Sequence, residues 1–413
     1  MVGESTDPCD PPADPSTPGG PSEDAAIPYV PPLSELRRRR STKWREATED
    51  GIAAWIADMD LSPPEPVLEA LQRYLRAGDL GYPDPTLPRR TREVVAQHLT
   101  ARDGHSVDPD RIDFLHDAVQ GIHLGTVFGS SPGDGVVLTT PLYAPYHEAV
   151  AEHGRRPVYV RFSARDRWEL ELDDLAASLK GWKHPHRRVS VLHLCNPHNP
   201  TGRVLDRSEL ERLAELALRH DLLVVTDEIH ADLVYPGKKH IPFASLGPEI
   251  ADRTLTLTSA TKAFNLAAVK LAVVVHGSAR LQRRLPSLRS RRFGKPNAFG
   301  LIATYTAFSK GRPWLSNVRD HLLRNRDHLL RRLADEAPKL RCLTPEATYL
   351  AWIDLTGTSA GEDPAERLRS RHGLVVSNGP DFGPGGQGFI RLNFATSREV
   401  LDEGVDRLVQ AFG

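Results

Sequence analysis

Five side chains in this 413-residue chain have the types and settings that do chemistry. Lys262, in Ser259-Ala-Thr-Lys262-Ala-Phe-Asn265, follows a strand-like run at 254–258. A lysine held at a strand end can form a Schiff base with an aldehyde cofactor, and it becomes nucleophilic once desolvated. Asp227 ends another such run and leads into Glu-Ile-His230. A buried carboxylate needs a partner, and a protonated pyridine nitrogen suits it. His230 is then within reach of a ring hydroxyl. Asn199, in Cys195-Asn-Pro-His-Asn199-Pro-Thr-Gly202, sits in a tight turn that presents its amide inward toward the ring oxygen. Arg391, in Gly388-Phe-Ile-Arg391-Leu-Asn-Phe394, points opposite to Ile390 and Leu392 on a predicted strand, and its fork matches a carboxylate. Any one of these is ordinary alone: a loop lysine, a helix-capping aspartate, a turn, a surface arginine.

These residues need a scaffold. Short apolar runs at 111–115, 136–139, 158–162, 189–194, 222–226, 254–258 and 271–275 show little polar alternation. They predict strands buried on both faces. Helical patterns lie before and between them, at 66–77, at 87–100, and after Ser208, where Ser208 and Glu211 read as a capping box. Strands alternating with helices predict an α/β domain with a mainly parallel sheet, whose ligands sit beyond the strand ends. Past about Arg280 a basic stretch leads into helical segments at 298–309 and 313–334, strands at 350–354 and 388–394, and a final helix at 398–412. The expected division is a disordered tail at 1–26, rich in Pro, Asp, Ser, Thr and Gly, and an arm at 27–61. A large domain at 62–282 and a smaller α+β domain at 283–413 follow.

Composition bounds the function. Hydrophobic residues are 39% and charged residues 26%, and the net charge is −1. That balance points away from nucleic-acid and membrane partners. No apolar run is long enough to span a bilayer, and no secretory leader is recognisable. Cys9, Cys195 and Cys342 are few, distant and odd in number, which fits a reducing cytoplasm and no zinc site. Cys195 reads as a small buried apolar residue.

Together the segments resemble fold type I of the pyridoxal-5′-phosphate (PLP) enzymes, the class I/II aminotransferase superfamily, over roughly residues 40–413. The set Asn-Pro-x-Asn-Pro-Thr-Gly, Thr-Asp-Glu, Ser-x-x-Lys and Phe-x-Arg-x-x-Phe, in that order, carries the resemblance. It implies that Lys262 binds PLP covalently, Asp227 pairs with the pyridine nitrogen, and Asn199 and His230 contact the ring oxygen. It further implies that Ser259 meets the phosphate and Arg391 the substrate carboxylate. Trp55-Ile-Ala-Asp58-Met-Asp60, Gly81-Tyr82-Pro83, Thr140-Pro-Leu-Tyr143 and Asp227-Glu-Ile-His230 resemble the cystathionine β-lyase-like C–S lyases. By that closer likeness Tyr143 stacks on the cofactor, Asp58 lies near the substrate, and Tyr82 reaches the phosphate of a partner subunit in a homodimer with shared sites. Two positions depart from the family pattern. The phosphate loop reads Asp117-Ala118-Val119-Gln120, where Ala118 and Val119 offer amides but Asp117 adds a negative charge. Lys270 stands where an arginine is frequent and serves only as a point charge.

The expected function is therefore a cytoplasmic PLP-dependent β-lyase that cleaves an S-substituted cysteine to thiol, pyruvate and ammonia. Two alternatives share the machinery. One is an aminotransferase. The other is a decarboxylation-coupled oxidative deaminase of an S-cysteinyl conjugate in antibiotic biosynthesis, a setting that a GC-rich residue usage leaves open.

Overall fold

A computed structural model describes residues 28–163, 168–182, 187–284 and 294–413. The tail expected at 1–26, Cys9 and most of the basic stretch beyond Arg280 lie outside these residues.

Eight strands form the central sheet: β1 (Ile112–Leu115), β2 (Gly135–Thr140), β3 (Arg156–Ser163), β4 (Glu169–Leu170), β5 (Val189–Cys195), β6 (Leu223–Asp227), β7 (Thr254–Thr258) and β8 (Ala272–His276). Their spatial order is β1-β8-β7-β6-β5-β2-β3-β4. The pairs β7–β6, β6–β5, β5–β2 and β2–β3 are parallel, whereas β8 runs antiparallel to both β7 and β1. The central strands β2, β5 and β7 are buried at every residue, which is why they read as unbroken apolar or Thr-rich runs. β3 departs from that expectation. It alternates exposed and buried residues along most of its length, because it lies near the sheet edge beside the two-residue β4.

The parallel register fixes where the chemistry falls. Cys195 at the end of β5 stands opposite Asp227 at the end of β6, and Asp227 stands opposite Leu257, two residues before Ser259. The turn with Asn199, the Asp227–His230 turn and the Lys262 loop therefore leave the sheet side by side.

Helix α1 (Ala118–Gly129) crosses the sheet on a ridge of glycines. A Cβ at Gly121 would lie 2.6 Å from Leu257, one at Gly125 2.5 Å from Val225, and one at Gly129 2.5 Å from Val191. No real side chain tolerates such contacts, so the i, i+4, i+8 glycines are what let the helix axis sit close to β7, β6 and β5. Helix α2 (Ala144–Glu152) follows β2 and carries Tyr143 at its N-cap. Helix α3 (Arg207–Arg219) starts earlier than its sequence suggests. Its capping box is Asp206 with Glu209, not Ser208 with Glu211, and the Asp206 amide donates to Glu209 Oε2 at 2.9 Å.

The C-terminal part is an antiparallel sheet of β9 (Arg341–Cys342), β10 (Leu350–Asp354), β11 (Ser377–Asn378) and β12 (Phe389–Asn393), in the order β9-β10-β12-β11. The long helix Arg312–Glu336 and the terminal helix Arg398–Phe412 accompany it. Helix Ala298–Lys310 instead packs on the helices Glu65–Ala77 and Leu87–Asp103. One apolar core runs through the arm (Leu36, Trp44, Met59, Leu61), the lysine loop (Ala263, Phe264) and the C-terminal layer (Leu350, Ile390, Leu408). The arm also adds a short parallel ladder, Ile52–Ala53 on Leu374–Val375. The arm is thus the element that joins the two halves around the strand ends.

Candidate active site

Lys262 lies in a four-residue helix, Ala260–Ala263, capped by the Ser259 hydroxyl, which accepts from the Thr261 amide. Its ammonium donates to the Ala57 carbonyl at 2.8 Å. Burial, offset in part by the nearby Asp58 charge, lowers its pKa to about 8. An amine so placed gives up its proton far more readily than an ordinary lysine, as nucleophilic and base chemistry both require. Asp227 is 7% exposed. Its Oδ1 accepts from the Ile229 amide at 3.1 Å and its Oδ2 from the Tyr146 hydroxyl at 3.0 Å. Burial raises its pKa to about 6, because among the described residues no cation forms an ion pair with it.

These groups face one cavity of about 270 Å³. Asn199, His230, Tyr143, Ser259, Ala118, Val119 and Lys270 line it as well, together with Arg391. Arg391 is 4% exposed. One terminal nitrogen donates to Asn199 Oδ1 at 2.8 Å, and the other reaches the Trp55 carbonyl at 2.9 Å and Ser377 Oγ at 3.1 Å. Its Cζ lies 4.8 Å from the Phe382 ring centre, and its Nε is buried without a partner. Burial lowers its pKa to about 10. Among the described residues no carboxylate pairs with it, and its partners are the neutral oxygens of Asn199, Trp55 and Ser377. His230 is buried, and burial beside Lys262 and Arg391 pushes its pKa down to about 3, so it is a neutral imidazole. The Asn199 oxygen is spent on Arg391, which leaves the amide nitrogen to donate.

The loop that departs from the family pattern is satisfied internally. Asp117 Oδ1 caps α1 by accepting from the Gln120 amide at 2.9 Å, and its Oδ2 pairs with the Lys270 ammonium at 3.3 Å. The Asp117 charge is therefore offset, and Ala118 and Val119, in the first turn of α1, line the cavity at a helix N-terminus, where an anion is favoured. Ser259 lines the same end, although its hydroxyl proton goes to the Leu271 carbonyl at 2.5 Å.

Two expected residues fall elsewhere. Tyr82 is 101% exposed, away from the cavity of its own chain. Asp58 does not line the cavity, and the arm enters it through Ile56 and Ala57 instead. Several contributors carried no signal in a single sequence. Tyr146 holds Asp227 from three residues beyond Tyr143, one helical turn along α2. Asn265, with φ 56°, accepts from the Met59 amide at 3.0 Å and donates to the Met59 and Leu61 carbonyls at 3.1 and 2.6 Å. Asn393 donates to the carbonyls of Ile56 and Asp58. The arm is thus clasped by one asparagine from the lysine loop and one from the arginine strand. Cys195 is buried at the cavity wall with its thiol pKa pushed far up, as expected of a packing residue.

The donor set fits PLP. A buried carboxylate without a cation matches a protonated pyridine nitrogen, a lysine of lowered pKa matches an aldehyde, and an open helix N-terminus matches a phosphate. Comparison with known proteins agrees. The family model "Aminotransferase class I and II" matches residues 56–408. Cystathionine beta-lyase PatB of Bacillus subtilis is 33% identical over 90% of this chain and 96% of its own. The crystal structure of cystalysin from Treponema denticola, which contains pyridoxal 5′-phosphate, superposes with a TM-score of 0.84 at 27% identity, covering 91% of this chain and 96% of that one. The PLP-bound C–S lyase of Staphylococcus hominis gives 0.82 at 28% identity over 92% and 98%.

Proposed function

The chain belongs to the aminotransferase class I and II family, and we propose that it acts as a PLP-dependent carbon–sulfur β-lyase that converts an S-substituted cysteine and water to a thiol, pyruvate and ammonia. The observation that carries this reading is the convergence of Lys262, Asp227 and Arg391 on one cavity, each with a charge state or partner that only cofactor and substrate complete.

When bound, PLP supplies an electron sink for the pair left on the substrate Cα. Every other task falls to the chain. Asp227, steadied by Tyr146 and Ile229, keeps a negative charge beside the ring nitrogen. Asn199 Nδ2 and neutral His230 serve the ring oxygen, Tyr143 covers the ring face, and the α1 amides with Lys270 and Ser259 take the phosphate end. Arg391 holds the substrate carboxylate. Lys262 Nζ, in its neutral form, would accept the substrate Cα proton.

We further assign a homodimer in which Tyr82 completes the partner's site, a cytoplasmic location and a role on cysteine conjugates in specialised metabolism such as antibiotic biosynthesis. The full exposure of a tyrosine beside exposed Leu80 supports the first. The free thiols of Cys195 and Cys342 suit the second. No helix among the described residues is long and apolar enough to cross a membrane.

The test is product analysis of the PLP-loaded protein with S-substituted cysteines and no keto acid. Equal amounts of thiol, pyruvate and ammonia are expected, and borohydride reduction should fix the cofactor on Lys262. Turnover that stops without a keto acid would make it a transaminase. Carbon dioxide with an aldehyde still bearing sulfur would make it the decarboxylating deaminase.

A further inference from the structure

The arm carbonyls from Trp55 to Asp58 all receive side-chain donors. Trp55 takes Arg391 at 2.9 Å, Ile56 takes Asn393 at 2.8 Å, and Ala57 takes Lys262 at 2.8 Å and the Tyr349 hydroxyl at 3.1 Å. Asp58 takes Asn393 at 2.7 Å and Lys43 at 3.0 Å. The cations assigned to the substrate and to the cofactor therefore rest on carbonyls of one strip of backbone. Whatever fixes that strip bears on both of them.

Lys43 is the donor that the site chemistry leaves unexplained. Its side chain is 1% exposed, as is that of Asp60, and the two pair at 3.0 Å. Replacing so deeply buried a pair by apolar side chains of similar volume is often neutral or stabilising, so stability alone does not account for it. Its surroundings point to orientation. The Trp44 indole donates to Asp60 Oδ1 at 2.7 Å, the Trp55 indole to the Lys43 carbonyl at 3.0 Å, and the Asp60 amide to the Ala395 carbonyl at 2.9 Å. Both ends of the strip are thus pinned, and Asp58 lies between them. Burial raises the Asp58 pKa; Lys43 offsets this most, then Lys262, with Arg39 weaker and Asp60 opposing. In turn, Asp58 is the strongest charge acting on Lys262, where Asp227 adds to it and Arg391 and Lys270 oppose it. Neutral His230 and the Tyr349 hydroxyl complete those surroundings. Two lysines share one carboxylate.

We propose that Lys43 and Asp60 are positioning residues for Lys262: their ion pair holds the Ala57 carbonyl and the Asp58 carboxyl against that lysine, and engages Lys43 so that Asp58 serves Lys262. The proposal goes beyond the lyase reading, since any reaction on PLP needs the lysine. It rests only on Lys262 as the lysine that binds the cofactor.

The two charges act on Lys262 with opposite sign. Lys43→Met removes a cation and leaves Asp58 to Lys262, which should hold its proton more tightly. Asp60→Asn leaves Lys43 to draw on Asp58, so Lys262 should release its proton more readily. Each change should be about three- to ten-fold in proton affinity. The readout is the rate at which the full-length apo-protein takes up PLP, followed by absorbance across the pH range. Only the neutral amine reacts, so the rate rises through the Lys262 pKa, about 8 in the wild type. Lys43→Met should move this midpoint up and Asp60→Asn down, whereas a purely structural pair would move both the same way or neither. The paired variant Lys43→Met with Asp60→Leu removes both charges and keeps the core filled, so it decides the matter where a single variant fails to fold. It should melt no lower than the wild type, keep the midpoint, and take up PLP about ten-fold more slowly on the high-pH plateau, because the strip has lost its anchor. Midpoints that move together or stay put in the single variants, or a wild-type plateau in the paired one, would overturn the proposal. Uptake that survives unchanged in Lys262→Ala would strike the cofactor lysine itself, and the proposal with it; the other outcomes leave that assignment standing.

Discussion

The Tyr146 hydroxyl donates to Oδ2 of Asp227 over 3.0 Å, and the tyrosine ring stands edge-on to His193 at 5.4 Å between ring centres. This places a fixed donor on the side of the carboxylate opposite the Ile229 amide. The carboxylate cannot rotate away from the cavity without losing one of them. Tyr146→Phe removes only the hydroxyl and keeps the buried ring. A hydrogen bond to a charged group is worth about 1.5–3 kcal/mol, so PLP affinity should fall about ten-fold or more. Absorbance titration of the apo-protein with PLP gives the number. An unchanged Kd would mean that Ile229 alone orients Asp227.

Asp227 also makes a stability prediction with a definite sign. Its pKa is near 3.8 ordinarily and about 6 here. A carboxyl with a raised folded-state pKa lends stability below the unfolded value and loses it as pH rises through the folded one. In the apo-protein that loss spans pH 3.8 to 6 and comes to at most about 3 kcal/mol. Asp227→Asn avoids ionisation altogether. Apo Asp227→Asn should therefore melt a few degrees above apo wild type at pH 8, with the gap closing toward pH 4. With PLP bound the order should reverse, because only the aspartate can pair with a ring cation. A gap that persists at pH 4 would count against ionisation as its cause.

Much of this site was readable in sequence because each motif ends an apolar run. A parallel sheet then brings the run ends together, as Cys195 opposite Asp227 illustrates. What stayed hidden depends on partners distant in sequence. Gly121, Gly125 and Gly129 look like weak helix residues until Leu257, Val225 and Val191 are found beneath them. Asp206-x-x-Glu209 and Ser208-x-x-Glu211 both satisfy the capping pattern, and only the backbone path selects the first. The ion pair of Asp117 with Lys270 joins two departures from the family pattern that lie far apart in sequence. Asn265 stood inside a motif noted for its lysine, while its own task, gripping the arm, involves residues about two hundred positions away.

That grip is testable. Asn265→Ala deletes three hydrogen bonds to the arm and puts alanine at a φ of 56°, in the left-handed region. Asn265→Gly deletes the same bonds without the strain. The expected losses are about 3–4 kcal/mol for Ala and about 1 kcal/mol less for Gly, by chemical denaturation of the PLP-loaded protein. Since the arm carries the Ala57 carbonyl that holds Lys262, both variants should also bind PLP more weakly. Equal losses for Ala and Gly would show that backbone conformation contributes nothing at this position.

Tyr82 and Lys262 test whether sites are shared between subunits. Tyr82 is fully exposed and lies outside the cavity of its own chain, so it acts in catalysis only by entering the cavity of a second copy. In the proposed homodimer, the Tyr82→Phe and Lys262→Ala variants should each be impaired, the second completely. A mixed dimer of the two then contains one site that joins the intact Lys262 of the first variant to the intact Tyr82 of the second, and one site that lacks both. Random reassortment of equal amounts makes half the dimers mixed and gives each one working site. Activity should recover to about a quarter of the wild type. The rise should appear only after subunit exchange, for example after mild denaturation and refolding together, and not on simple mixing. If Tyr82 served its own subunit instead, every site in the mixture would carry one defect or the other. Activity would then stay at the average of the two variants, and the shared-site arrangement would be lost.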